Sequence, residues 1–176
     1  MKIYYYDKSR EHKSSDTDLY IIKSLREYCK EENIPLVGSV RVLRTELGKP
    51  YVDMENVYIG VSHTENLLVI AIDKKDFGID CERLDRTVRN RYAIADRYFS
   101  EKEKVYVMPR CGEAEGKDEL RFIETWVKKE AVVKYIGTGL CDIDKVDTFC
   151  AGGTFKEIYR EGYMIYVYYP QSEEQP

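Results

Sequence analysis

Hydrophobic and polar positions change period several times along the chain, and each change predicts an element. Ile3 to Tyr6 is a short aromatic, β-branched run closed by polar residues, which predicts an opening strand. Ser15 and Asp18 form an S-x-x-D capping pattern ahead of Leu19, Ile22, Leu25 and Cys29, whose helical spacing predicts a helix that ends at Asn33 and Pro35. From Ser39 to Ile72 the period falls to two. Val40 and Val42, then Val57, Ile59 and Val61, then Leu67, Val69 and Ala71 alternate with other residues, broken by turns at Gly48-Lys49-Pro50 and Thr64-Glu65-Asn66. After the charged connector Asp73 to Asp76 a second round begins. It comprises a strand Phe77 to Glu82, a helix Val88 to Tyr98, a loop Met108 to Asp118 and a long helix Glu119 to Ile136 stopped by Gly137 and Gly139. A strand Val146 to Cys150 and a hairpin Phe155 to Tyr169 complete it.

Both rounds contain strand, helix and hairpin, which predicts an α+β protein with two similar halves, residues 1–76 and 77–176. Composition narrows the class. With 176 residues, 43% of them hydrophobic, the chain buries roughly two-thirds of its unfolded surface and needs no disulfides. The 28 Lys and Arg against 32 Asp and Glu argue against a general grip on nucleic acid or on a membrane surface, so any anion site must be local. Cys29, Cys81, Cys111, Cys141 and Cys150 are odd in number and lack C-x-x-C or zinc-like spacing, which suits free thiols in a reducing, cytoplasmic compartment. No stretch approaches the length of a membrane-spanning helix, and the first residues lack the pattern of a signal peptide.

Candidate chemistry lies where the local rules are broken. In the strand Phe77 to Glu82, Gly78, Asp80 and Glu82 share one face, with the two carboxylates roughly 7 Å apart. Paired hard oxygen donors suit Mg²⁺, and Gly78 would let a ligand approach the backbone; a solvated outer sheet face is the plainer alternative. In the long helix, Leu120, Ile123, Trp126, Val127 and Ala131 span one apolar arc, and Glu130 and Lys134 fall inside it. A metal for Glu130 and a phosphate for Lys134 would compensate their desolvation; a simple i,i+4 ion pair is the alternative. His63, in Ser62-His63-Thr64, could be a phosphate donor, a general base or a turn residue; His12 lies in a polar run. Ser62 and His63 are strand neighbours on opposite faces, which argues against a Ser-His nucleophile. The chain has neither a G-x-x-x-x-G-K-S/T loop nor a G-x-G-x-x-G turn.

Five segments in order resemble the motif series of the 4'-phosphopantetheinyl transferase superfamily, Sfp type. They are Gly48-Lys49-Pro50-Tyr51, Ser62-His63-Thr64, Gly78-Ile79-Asp80-Cys81-Glu82, Phe99-Ser100-Glu101-Lys102-Glu103, and the run from Trp126 through Lys129-Glu130-Ala131 and Lys134 to Gly137-Thr138-Gly139-Leu140. The resemblance implies two pseudo-symmetric α+β halves with coenzyme A in a cleft between them. It implies transfer of 4'-phosphopantetheine from coenzyme A to a serine of an acyl or peptidyl carrier protein, with release of adenosine 3',5'-bisphosphate. By the same resemblance Asp80, Glu82 and Glu130 hold Mg²⁺ (Mn²⁺ as substitute), and Lys49, Pro50, Ser62, His63, Lys129 and Lys134 bind coenzyme A. Glu130 or a metal-bound water would take the serine proton. Glu103 matches an acid of the family and is expected in a supporting contact.

The chain departs from the Sfp type in its shorter first half and in Thr64-Glu65, which puts an acid near the phosphate pocket. Cys81 stands where an aliphatic residue is common. Arg83 to Arg97 carries five arginines against Asp85 and Asp96, a basic strip that, with the loop 108–118, is expected to receive the acidic helix of a carrier protein. A monomer is expected from two internal halves. A coenzyme A binding regulator with weak catalysis, and a Mg²⁺-dependent phosphohydrolase, are the competing readings.

Overall fold

The computed structural model describes residues 1–8, 16–36 and 38–171. Ser15 of the predicted cap and His12 lie outside them. The chain divides into two compact units, Met1–Phe77 and Gly78–Pro176, each of mixed helix and strand.

The first unit holds β1 (Lys2–Asp7), α1 (Asp16–Glu31), the short pair β2 (Leu43–Arg44) and β3 (Pro50–Tyr51), and the hairpin β4 (Tyr58–His63) and β5 (Leu67–Asp73). An antiparallel sheet has the order β1-β5-β4, with Tyr4 and Val61 both opposite Ile70. Flanked on both sides, β5 is buried from Leu67 to Ile72, which explains its unbroken apolar run. α1 packs on this sheet through Ile21, Leu25 and Tyr28, with Leu68, Ile70 and Ile72 beneath. The buried face is therefore rotated from the predicted one: Leu19 is 66% exposed, and Ser24 points inward because its hydroxyl pairs with Tyr6 Oη at 2.8 Å. Val40 and Val42 pack against this core without forming a strand. Only Leu43 and Arg44 pair, with Tyr51 and Pro50 across the turn at Gly48 (φ 87°).

The second unit holds β6 (Gly78–Arg83), α2 (Arg91–Tyr98), α3 (Glu101–Val107), α4 (Lys117–Ile136), a 3-10 helix (Gly139–Lys145), β7 (Gly153–Arg160) and β8 (Tyr163–Pro170). Its antiparallel sheet has the order β6-β8-β7. α4 lies on the sheet through Val127 and Ala131, and Phe99, Phe122 and Trp126 form an aromatic group beside it, the last two stacked at 6.3 Å. Burying Val127, Phe99 and Phe122 contributes about 1.5–3 kcal/mol each. α4 ends where expected, at Gly137 in the left-handed region (φ 82°), whose N–H donates to Val133 O at 2.8 Å.

Two expectations for this unit are corrected. The predicted helix Val88 to Tyr98 begins only at Arg91, after the non-helical cap Asn90 (φ −103°, ψ 30°), while Val88 N–H donates to Glu119 Oε1 at 2.8 Å. A further helix, α3, follows, opened by a capping box in which Glu103 N–H donates to Ser100 Oγ and Ser100 N–H donates to Glu103. The segment Val146 to Cys150 is a turn, not a strand. Its backbone is bonded to side chains in place of a sheet partner: Val146 O accepts from Lys129, and Thr148 N–H donates to Glu103.

Candidate active site

β6 lies directly under α4, which brings Glu130 of the helix within electrostatic reach of Asp80 on the strand. A Cβ on Gly78 would stand 1.8 Å from Ala131 O and 2.6 Å from Tyr135 N, so only glycine lets the helix backbone settle on the strand. This overturns the expectation that Gly78 leaves room for a ligand; the space is filled by α4. By strand alternation Asp80 and Glu82 face the same way, toward the helix, and the solvated outer face is excluded because Asp80 is 5% exposed.

Lys134 of α4 donates to Asp80 Oδ1 at 2.6 Å, and Arg86, just beyond β6, donates to Glu82 Oε2. Glu130 stands one turn before Lys134. Burial, reinforced by the charge of Asp80, pushes its carboxyl up to about 7, against the opposing pull of Lys134, the Trp126 indole and Arg86. For Lys134, burial pulls the ammonium down, but Asp80 and Glu130 together outweigh it and hold the pKa above the usual lysine value. The cluster thus sets three carboxylates against two cations. One of its acids titrates near neutrality, where an extra cation or a proton is required for balance.

Lys129, expected to touch phosphate, is placed elsewhere. It is 0% exposed and donates to Glu103 Oε2 at 2.8 Å and to Val146 O. Glu103, also 0% exposed, accepts in addition from Ser100 N–H, Thr148 N–H and Thr148 Oγ1. This closed pair ties α3, α4 and the 146–148 turn together. A supporting contact is expected for Glu103, but Lys129 as its partner is not; the S-x-x-E box at Ser100 and Glu103 is the available signal for the anchored acid.

The remaining expected residues belong to the first unit. Lys49 Nζ lies 3.5 Å from Asp76 Oδ1, and Lys49, Pro50, Tyr51, Asn56 and Tyr58 border a cavity of about 420 Å³ there. Ser62 is buried and His63 exposed at the end of β4, on opposite faces as their adjacency requires. In the basic strip, Arg83 is forked onto Asp85, at 2.8 and 2.7 Å, and Arg91 is bonded to Asp118 at 2.8 Å. Arg121 pins the loop 108–118 by donating to Met108 O and Glu113, and it holds the Glu113 carboxyl down at about 2.

Comparison with known proteins places the chain in a class. The model of the 4'-phosphopantetheinyl transferase superfamily matches residues 76–169, more than half of the chain, and the chain belongs to that superfamily. It is 32% identical over 97 residues to 4'-phosphopantetheinyl transferase gsp of Aneurinibacillus migulanus, covering 55% of this chain and 38% of that protein. To 4'-phosphopantetheinyl transferase Sfp of Bacillus subtilis (strain 168) it is 31% identical over 106 residues, 58% of this chain and 44% of the relative. A further B. subtilis relative, 4'-phosphopantetheinyl transferase ffp, is 29% identical over 106 residues. The aligned stretch spans less than half the length of these relatives. Among the described residues no helix is long and apolar enough to cross a membrane.

Proposed function

We propose that the protein transfers the 4'-phosphopantetheine group of coenzyme A to a serine of an acyl or peptidyl carrier protein and releases adenosine 3',5'-bisphosphate. The observation that carries this reading is the charge-deficient cluster of Asp80, Glu82 and Glu130 against Lys134 and Arg86. Such a cluster is built to receive a cation, and displacement at a pyrophosphate needs charge neutralisation and positioning more than covalent help.

Among the described residues no three His, Cys, Asp or Glu side chains already converge on one point as a metal cage. As they stand, Asp80 is bonded to Lys134 and Glu82 to Arg86. The donor chemistry nevertheless fits Mg²⁺ or Mn²⁺: carboxylate oxygens, one of them desolvated and carrying a raised pKa. Asp80, Glu82 and Glu130 would hold it, and when bound it would neutralise the pyrophosphate charge and stabilise the leaving phosphate.

Within this reading the chain's own groups have distinct tasks. Lys134 stands beside the carboxylates and supplies a cation for a phosphate oxygen, while Lys49, Pro50, Ser62 and His63 are assigned to coenzyme A from the first unit of a pair of pseudo-symmetric halves. Lys129 acts through Glu103 by holding α4 in place, in line with its complete burial. The serine oxygen forms a bond to the phosphorus that carries pantetheine, the bond from that phosphorus to the departing bisphosphate breaks, and the serine proton passes to Glu130. For carrier docking on the Arg83–Arg97 strip and the 108–118 loop, Arg89 and Arg97 carry the proposal, since Arg83, Arg86 and Arg91 have acidic partners within the chain.

The test is incubation with coenzyme A, Mg²⁺ and an apo carrier protein, followed by mass spectrometry of the carrier. Addition of phosphopantetheine that falls at least about 100-fold in Glu130→Gln supports transfer. Coenzyme A cleavage without carrier modification would identify a hydrolase, and binding without either reaction a regulator.

A further inference from the structure

Arg86 is the residue of this cluster that the motif series does not assign. It sits four positions after Glu82, on the basic strip, and donates from Nη1 to Glu82 Oε2; it also acts on Glu130, favouring the charged form. The two partners are unequally placed. The Glu82 side chain is 15% exposed and the Arg86 side chain 53% exposed, so the acid is held by the fold while the guanidinium reaches in from solvent. Asp80, on the same face of β6, is matched in the same manner by Lys134. Both β6 carboxylates thus already carry a cation supplied by the chain.

Resting on the metal reading above, we propose that Arg86 is a built-in counter-ion occupying Glu82, which a divalent cation must displace in order to bind. Glu82 Oε1 already accepts from Arg83 N–H at 2.9 Å and Oε2 from Arg86, so a metal approaching Oε2 meets a cation already there, and the Arg86–Glu82 bond counts against metal affinity. Because Arg86 is half exposed, its release into water costs little, and the competition is moderate and reversible. In the absence of metal, Arg86 offsets the mutual repulsion of the three acids. The consequence is a constant reduction in apparent affinity: the closed Arg86–Glu82 pair lowers the fraction of sites ready for the cation and moves half-loading to a higher cation concentration.

The probe is Mn²⁺ alone, with neither coenzyme A nor carrier present, read from the electron paramagnetic resonance signal of the free ion. Arg86→Gln should tighten Mn²⁺ binding about five-fold, the scale expected for removing a partly solvated charge competitor. Arg86→Lys, which keeps the charge without the fork, should lie between Arg86→Gln and the unaltered protein. Arg89→Gln, at an exposed position three residues on, removes the same unit of charge and should leave Mn²⁺ binding within about two-fold. Circular dichroism of each variant checks that the fold is kept. Unchanged or weaker binding in Arg86→Gln, or equal tightening in Arg89→Gln, would overturn the proposal while leaving the metal reading intact. Absence of any Mn²⁺ binding sensitive to Asp80→Asn would overturn both.

Discussion

One helix, α4, carries two lysine–carboxylate pairs of opposite character. Lys129 and Glu103 are both 0% exposed, and every strong group around them is satisfied: four donors converge on Glu103, and Val146 O takes a second bond from Lys129. Five residues on, the side chains of Lys134 and Asp80 are 34% and 7% exposed, and their neighbours Glu130 and Glu82 leave an excess of negative charge. The first arrangement is closed and acts as a fastener. The second is open on one side and unbalanced, the condition under which a site can gain a ligand.

The sharpest break of this contrast is Glu103→Ala. Stranding a fully buried ammonium should cost about 3–5 kcal/mol, read as a lowered denaturant midpoint, whereas Asp80→Ala should cost much less because Lys134 can turn toward solvent. Adding Lys129→Met to Glu103→Ala should recover the part of the loss that comes from the unpaired ammonium, while the Ser100 and Thr148 donors remain unpaired. Loss of stability in Asp80→Ala as large as in Glu103→Ala would erase the distinction.

The next test is pH. Glu130 has a folded-state pKa of about 7, above its unfolded value of 4.5, so the native state binds the extra proton between those limits. Its stabilising contribution is complete below about pH 4.5 and is lost as pH rises through 7. Without divalent cations, stability should therefore fall by on the order of 3 kcal/mol across that window, and Glu130→Gln should flatten the profile in urea titrations. The smallest effect is expected at Arg83, whose exposed fork to Asp85 should leave the urea midpoint essentially unchanged when Arg83 is replaced by Gln. A larger loss there would show that exposed pairs in this unit are worth more than their solvation suggests.

Local patterning made much of this legible. Strand alternation puts Asp80 and Glu82 on one face whatever the rest of the chain does, because successive side chains must point to opposite sides. The stop at Gly137 follows from the left-handed conformation that glycine alone adopts cheaply. The apolar arc of α4 exposed Glu130 and Lys134 as misfits, and both lie in the cluster.

Other features depended on partners distant in sequence. Nothing within α4 separates Lys129 from Lys128 until Glu103, 26 residues earlier, draws one of them inward. The segment from Val146 to Cys150 has the composition of a strand, yet its backbone groups go to Lys129 and Glu103. The inward face of α1 turned because Ser24 finds Tyr6, a pairing invisible to periodicity.

By itself the sequence determined the α+β order of elements, the shared face of Asp80 and Glu82, and the family motifs, since these rest on period, turn chemistry and residue type within short windows. Only the tertiary structure decided which charges are closed off and which remain available. That choice is set by desolvation and by the distance to a counter-charge, and both come from residues that the fold, and not the chain order, makes neighbours.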